Sequence, residues 1–334
     1  MPTIYDIAKH AGVSAGTVSR ALSRPEKVLP ATRTRIEQAA ATLGYVPNAA
    51  ARTLKTQRTG KILVTVPDIA NPFFAQILQG AEEAAQAADY AVLLGDTQHQ
   101  PEREERYAQM LRRNEADGLI VLGHRLPPTA RAIVKQLGAA APVVNGCEFD
   151  PSLGIPSVHI DNAAAARAAM EHLYELGHAR IAVVGGPTDN PLHQQRLEGV
   201  KAAARARGRL RLLTLVPGDF SVESGYAAAR KLLDLVPAPT AAFCFSDQMA
   251  LGALAACRDA GIHVPDAFSI VGFDDLASSR YLTPPLTTIA QPMRQIGRRA
   301  VNLLLALFEA ADVPHQQTLA FSLMLRGSTA APAA

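Results

Sequence analysis

The residues of this sequence best suited to chemistry stand just after short apolar runs. Asp68 follows ILVTVP, Glu148 follows PVVNGC, Asp161 follows SVHI, Asp247 follows AAFCFS and Asp274 follows SIVGF. With them go Asn71, the adjacent aromatics Phe73 and Phe74, a single arginine, Arg196, and Gln291. Adjacent carboxylates such as Asp274-Asp275 could in principle do acid–base work on a glycosidic bond. Neighbours on a turn point apart, however, and the chain carries no nucleophile–base motif, P-loop or G-x-G-x-x-G. Its nine histidines are scattered, and Cys147, Cys244 and Cys257 lack C-x-x-C spacing. No metal site, no cofactor and no enzymatic activity are therefore expected, and the cysteines read as buried, reduced thiols. Flat aromatic surfaces beside carboxylates and one arginine suit recognition instead, of a ribose bearing a base.

A second group of polar residues lies at the N-terminus, in TIYDIAKHAGVSAGTVSRAL. Ile4, Ile7, Ala8 and Ala11 recur at helical spacing. Gly12 can take the positive φ that ends a helix, and Ser14 can cap the next one. In that second helix Val18, Ala21 and Leu22 face back, leaving Ala15, Gly16, Thr17, Ser19 and Arg20 as a thin outer face. So slim a face can lie in a DNA major groove. A third helix is expected over 31–43, capped by Thr32 or its neighbour, with Arg33 and Arg35 offering donors to phosphates. Charge divides the same way. Residues 1–60 hold nine Lys/Arg against Asp6, Glu26 and Glu37, while the remainder is mildly acidic and the whole chain is +3. A basic head on an acidic body fits an anionic polymer gripped at one end.

The elements that must position both groups follow from pattern. The 334 residues are 48% hydrophobic and 19% charged, enough for a large core, with no run long enough to span a membrane. MPTIYDIAKHAGV lacks the basic and apolar regions of a secretory signal, so a cytoplasmic location is expected. From residue 61, apolar runs of strand length alternate with amphipathic helices, the grammar of parallel sheets buried on both faces. Two sets of β-α repeats separate near residue 161 and imply two open sheets with a cleft at their strand ends. QQTLAFSLMLRGS reads as a final strand pair or a crossover, and TAAPAA as a disordered tail.

The N-terminal pattern, followed by GYVPNAAARTL, resembles the headpiece of LacI/GalR-family bacterial transcription regulators. VPDIANPFF, VHIDN, LGHARIAVVGG, RLEG, SDQMALGAL, SIVGFDD and PPLTTIAQP extend that resemblance to about Ser328. It implies an all-α helix-turn-helix headpiece over 1–46, a hinge helix and linker over 47–59, and a two-lobed periplasmic-binding-protein-like α/β body over 60–330. The first lobe would comprise about 60–160 and 291–316, the second about 161–290 and 317–330. Thr3, Tyr5, Ser14, Ala15, Gly16, Thr17, Ser19 and Arg20 would meet double-stranded DNA. In the hinge, Asn48, Arg52 and Lys55 would join them and Leu54 would wedge into the minor groove. A long leucine-rich terminal helix is missing, so a homodimer reading a palindromic operator is expected.

By the same resemblance Phe73, Phe74, Glu148, Asp161, Arg196, Asp247, Asp274 and Gln291 would bind a small-molecule effector. Aromatics would stack on its ring, and Arg and Asp would hydrogen-bond its substituents. Segments beyond the general family motifs, among them LLGDTQHQ, LGHRLP and FCFSDQMALGAL, resemble those of a nucleoside-responsive member. A nucleoside such as cytidine is the expected effector, with a free sugar as the alternative. Asp275 carries a structural role or a ligand contact on this reading.

Overall fold

The structure is a computed structural model and describes residues 2–23, 25–45 and 58–333. The expected hinge residues Asn48, Arg52, Leu54 and Lys55 lie outside the described residues. The chain divides into two compact units, Met1–Thr59 and Gly60–Ala334.

The smaller unit is three helices: α1 (Ile4–Ala11), α2 (Ala15–Ser23) and α3 (Pro30–Leu43). Ile7, Val18 and Ile36, one from each helix, are fully buried at its centre. Each such burial contributes about 1.5–3 kcal/mol, so these three side chains carry much of a small core. Gly12 ends α1 in the left-handed conformation, at φ 63°. Ser14 accepts a hydrogen bond from Thr17 N–H at 3.1 Å, opening α2 as its spacing implies. The start of α3 differs from expectation. Leu29 is the capping residue and gives no side-chain bond, while Pro30 occupies the first helical position. A proline there has its φ pre-set and lacks a donor that would go unused, so no Thr32 cap is needed.

The larger unit holds two six-stranded sheets. The first contains β1 (Lys61–Val66), β2 (Ala91–Asp96), β3 (Gly118–Val121), β4 (Val143–Gly146), β5 (Ser157–Ile160) and β11 (Gln316–Leu319), in the order β11-β5-β4-β3-β1-β2. The second contains β6 (Ile181–Val184), β7 (Leu213–Val216), β8 (Ala241–Cys244), β9 (Ser269–Asp274), β10 (Thr287–Ala290) and β12 (Ser322–Met324), in the order β12-β10-β9-β8-β6-β7. Every pairing is parallel except that of β12 with β10. Central strands such as β3, β6, β8 and β9 are buried along their whole length, which is why they read as unbroken apolar runs.

Helices cover both sheets: α4 (Pro72–Ala87), α5 (Pro101–Arg112), α6 (Pro128–Leu137) and α11 (Met293–Phe308) on the first, and α7 (Asn162–Glu175), α8 (Pro191–Ala206), α9 (Val222–Leu233) and α10 (Asp247–Asp259) on the second. The chain crosses between lobes near Asp161, near Gln291 and again at 320–321. The last segment is therefore a crossover and not a strand pair, and β11 extends the first lobe's share of it to Leu319.

Three helix pairs touch backbone to backbone, α7 with α8 at Gly199 and two others. A Cβ on Gly80 of α4 would sit 2.0 Å from the Arg294 carbonyl oxygen of α11, and one on Gly252 of α10 would sit 2.0 Å from that of Val222 in α9. The C-terminal tail is also fixed, against expectation. Thr329 Oγ1 meets His172 Nε2 at 3.0 Å, and the Ala330 carbonyl meets His178 Nε2 at 2.9 Å. Polar partners on α7 and just beyond it, distant in sequence, order a stretch whose composition alone suggests disorder.

Candidate functional site

The head presents the outer face that its sequence implies. Gly16 and Arg20 of α2 are exposed, Ala15, Thr17 and Ser19 are half-buried, and Val18 and Ala21 are turned inward. Leu22, expected to face back, is 39% exposed. Tyr5 is largely exposed on α1. Two expected DNA contacts also cap helices. Thr3 shares a reciprocal capping box with Asp6, and the Ser14 hydroxyl serves Thr17. The arginines of α3 are engaged within the head. Arg35 Nη2 donates to the Ala11 carbonyl at 2.6 Å, closing the C-terminus of α1, and Arg33 pairs with Glu37 at 2.6 Å.

In the body, the carboxyl ends of the two sheets enclose a cleft with two connected cavities. The outer, about 230 Å³, is lined from the first lobe by Pro67, Asp68, Asn71, Phe74, His99 and Glu148. From the second lobe come Asp219, Phe220, Ser221, Glu223 and Gln248. The inner, about 40 Å³, is walled by Phe73, Phe74, Leu192 and Phe220 and floored by Glu148, Arg196, Ser246 and Asp274. Phe73 and Phe74 meet edge to face at 5.2 Å.

Arg196 is the buried cation of this floor, 2% exposed on α8. Its Nε donates to Asn162 Oδ1 at 2.9 Å and its Nη1 to the Phe245 carbonyl, while its guanidinium lies 3.6 Å over the Phe273 ring. No hydrogen bond from Nη2 is made among the described residues, so this nitrogen can serve a ligand. Burial pulls Arg196 below its ordinary pKa, opposed first by Asp274. Burial likewise pushes the Asp274 carboxyl up, to about 8, opposed first by Arg196. Gln291 Nε2 holds Asp274 Oδ1 from behind. Glu148 receives His124 Nδ1 at 2.9 Å, and that hydrogen bond raises His124 above its ordinary value. One guanidinium, two carboxyl groups and aromatic walls can orient a polar ring by paired hydrogen bonds and stacking.

Backbone strain gathers at the same strand ends. Cys147, Phe220, Asp274 and Asp275 all have positive φ, as do Gln98 and His99 after β2. Non-glycine residues take that region at a cost of order 1–3 kcal/mol each, and such residues concentrate at ligand sites. Asp275, next to Asp274, points elsewhere and pairs with Arg326 at 2.6 Å, so its role is structural.

Five of the eight expected effector residues thus meet around one cavity: Phe73, Phe74, Glu148, Arg196 and Asp274, with Gln291 one bond behind. Two are placed otherwise. Asp161 is exposed and caps α7 by accepting from Ala164 N–H at 2.8 Å, leaving its neighbour Asn162 to reach Arg196. Asp247 is 2% exposed, and its carboxylate is consumed by Leu276, Ser279 and Thr288 instead of facing the cavity. Phe220 and Leu192 were missed. Phe220 follows an edge strand by four residues, and the only sequence signal was its place in GDF beyond that strand.

Two family models match the chain: bacterial regulatory proteins of the lacI family over residues 3–48, and a periplasmic binding protein-like domain over 170–329. The chain is 44% identical over 331 residues to the HTH-type transcriptional repressor CytR of Escherichia coli (strain K12), covering 98% of this chain and 96% of that one. Its fold superposes on the lac repressor dimer bound to operator and the anti-inducer ONPF with a TM-score of 0.89, at 30% identity and 99% coverage of both chains. A LacI family transcriptional regulator from Enterococcus faecium with bound ribose matches with a TM-score of 0.74 and 29% identity, covering 81% of this chain and 99% of that one. With a helix-turn-helix head and a two-sheet body, the chain belongs to the lacI family of bacterial regulatory proteins, DNA-binding transcription regulators and not enzymes.

Proposed function

We propose that this protein is a cytoplasmic repressor whose hold on a palindromic operator is set by a nucleoside, cytidine in the first instance, bound between the two lobes. Residues 1–46 would form the DNA-binding headpiece, 47–59 the hinge and 60–330 the effector and dimerisation body. On this reading Tyr5, Gly16, Thr17, Ser19 and Arg20 meet the duplex, and a homodimer matches the two-fold symmetry of the site.

The observation that carries the effector reading is that Phe74 of one lobe and Phe220 of the other line the same cavities as the buried Arg196 and Asp274. An aromatic from each lobe suits a flat base. A guanidinium and a carboxyl group below suit ribose hydroxyls, which donate and accept at once. A free ribose is the alternative, supported by its presence in the Enterococcus faecium relative. It would leave the aromatic walls with a sugar ring to pack on but no flat base.

Titration calorimetry of the purified protein with cytidine, other nucleosides and ribose decides between them. Operator fluorescence anisotropy with and without each compound tests the regulation. Cytidine binding at least about 10-fold tighter than ribose, with altered operator affinity, is expected. Equal affinity would move the reading to a sugar, and no preference for a palindrome over random duplex would overturn the regulator itself.

A further inference from the structure

Asp247 was expected at the effector and is instead turned away from it, and its position suggests a different task. It is the first residue of α10, between Ser246, which lines the inner cavity, and Gln248, which lines the outer. Its Oδ2 accepts from Leu276 N–H at 2.9 Å and from Ser279 Oγ at 2.5 Å, and its Oδ1 accepts from Thr288 Oγ1 at 2.5 Å. Gly272 on β9 leaves the room this carboxylate fills: a Cβ there would lie 2.2 Å from Oδ1.

The three donors lead to different places. Leu276 belongs to the chain of the second lobe, yet its side chain is buried in the core of the first, in one cluster with Phe73, Phe74, Cys147 and Met293. Thr288 lies on β10, three residues before Gln291 on the second crossing. One carboxylate therefore ties the helix end that lines the cavity to a loop plugged into the opposite lobe and to a strand entering a crossing. Any movement of the Ser246–Gln248 end on ligand contact must pull on both. A bare helix cap would need no such reach, since Ser246 already caps α10 through Met249 N–H.

We infer that Asp247 is a positioning residue that converts occupancy of the cleft into the angle between the lobes, without touching the ligand. Only the choice of cytidine as probe rests on the nucleoside reading.

The test is Asp247→Asn, which keeps shape but loses the acceptor capacity three donors require. Cytidine affinity by calorimetry should stay within about 3-fold of wild type, while the cytidine-induced change in operator affinity shrinks at least about 5-fold. Spin labels on Gln86→Cys and Arg230→Cys, diluted with unlabelled chain, should show a broadened inter-lobe distance distribution without any ligand. An undisturbed distribution together with wild-type coupling would overturn the inference. Loss of cytidine binding in step with a lowered melting temperature would also overturn it, reducing Asp247 to fold support. If cytidine fails to bind the wild type, the nucleoside reading falls and the ligand-free distances alone decide. Should Asp247→Asn not fold, Thr288→Val and Leu276→Ala cut the same joint at its other ends and are read the same way.

Discussion

Gln291 Nε2 donates to Asp274 Oδ1 at 2.7 Å, joining a crossing between the lobes to the strand end that floors the cleft. The bond fixes Asp274 Oδ1 at the floor of the inner cavity, which Asp274 lines. Burial keeps a proton on this carboxyl up to about pH 8, so its hydroxyl both donates and accepts, whereas an amide nitrogen in its place only donates. Asp274→Asn should weaken nucleoside binding by about 0.5–1.5 kcal/mol, roughly 2- to 12-fold, with operator affinity in the absence of ligand kept. Calorimetry on the variant is the check, and wild-type affinity would remove Asp274 from the site.

The same carboxyl sets a pH dependence. Its folded pKa is raised from 3.8 to about 8, chiefly by burial. Between those values the folded chain holds a proton that the unfolded chain has released, so stability falls as pH rises through this window. The contribution is fully present below 3.8 and lost above about 8. Asp274→Asn should flatten that decline, measurable as melting temperature against pH for both proteins. A parallel decline in the two would place the proton elsewhere.

The mouth of the cleft selects by charge. Asp68, Glu148, Asp219 and Glu223 line the outer cavity, and among the described residues no lysine or arginine does. A phosphate brought there meets these carboxylates, with His124 on Glu148 and the buried Arg196 below as the nearest opposing charges. A nucleoside 5′-monophosphate should therefore bind at least about 10-fold more weakly than its nucleoside, a gap that narrows with added salt. Equal affinities at low salt would contradict this account of the mouth.

The α9–α10 contact should tolerate no added methyl group. At Gly252 a Cβ would lie 2.0 Å from a backbone oxygen, which no rotamer change can relieve. Gly252→Ala should destabilise the body by about 1–3 kcal/mol and displace the start of α10, where Ser246 and Gln248 line the cleft. Denaturant unfolding of both proteins measures the first effect, and a loss below about 0.5 kcal/mol would show that the helices can part.

Local pattern carried the reading a long way, because its signals are short-range. Helical spacing in IYDIAKHA, the glycine turn and the Ser14 cap all act within a few residues. Unbroken apolar runs such as KILVTV and SIVGFD identify buried parallel strands by themselves. Where partners are distant, pattern failed. Asp274 and Asp247 both follow apolar runs, yet Asp274 lines the cavity while Asp247 faces Leu276, Ser279 and Thr288. Nothing near Asp247 in the sequence announces donors some thirty to forty positions later. The tail past Ser328 was misjudged for the same reason, since its order comes from His172 and His178.

By itself, then, the sequence determined the order of elements, the basic head and the set of polar residues at strand ends, all consequences of periodicity and composition. The tertiary structure decided which of those residues share a cavity, brought Phe220 into one lining with Phe74, and split the last segment between two sheets. The reason is geometric. At a strand end the direction of a side chain depends on backbone angles such as the positive φ of Asp274, and these are fixed by packing against chain far away in sequence.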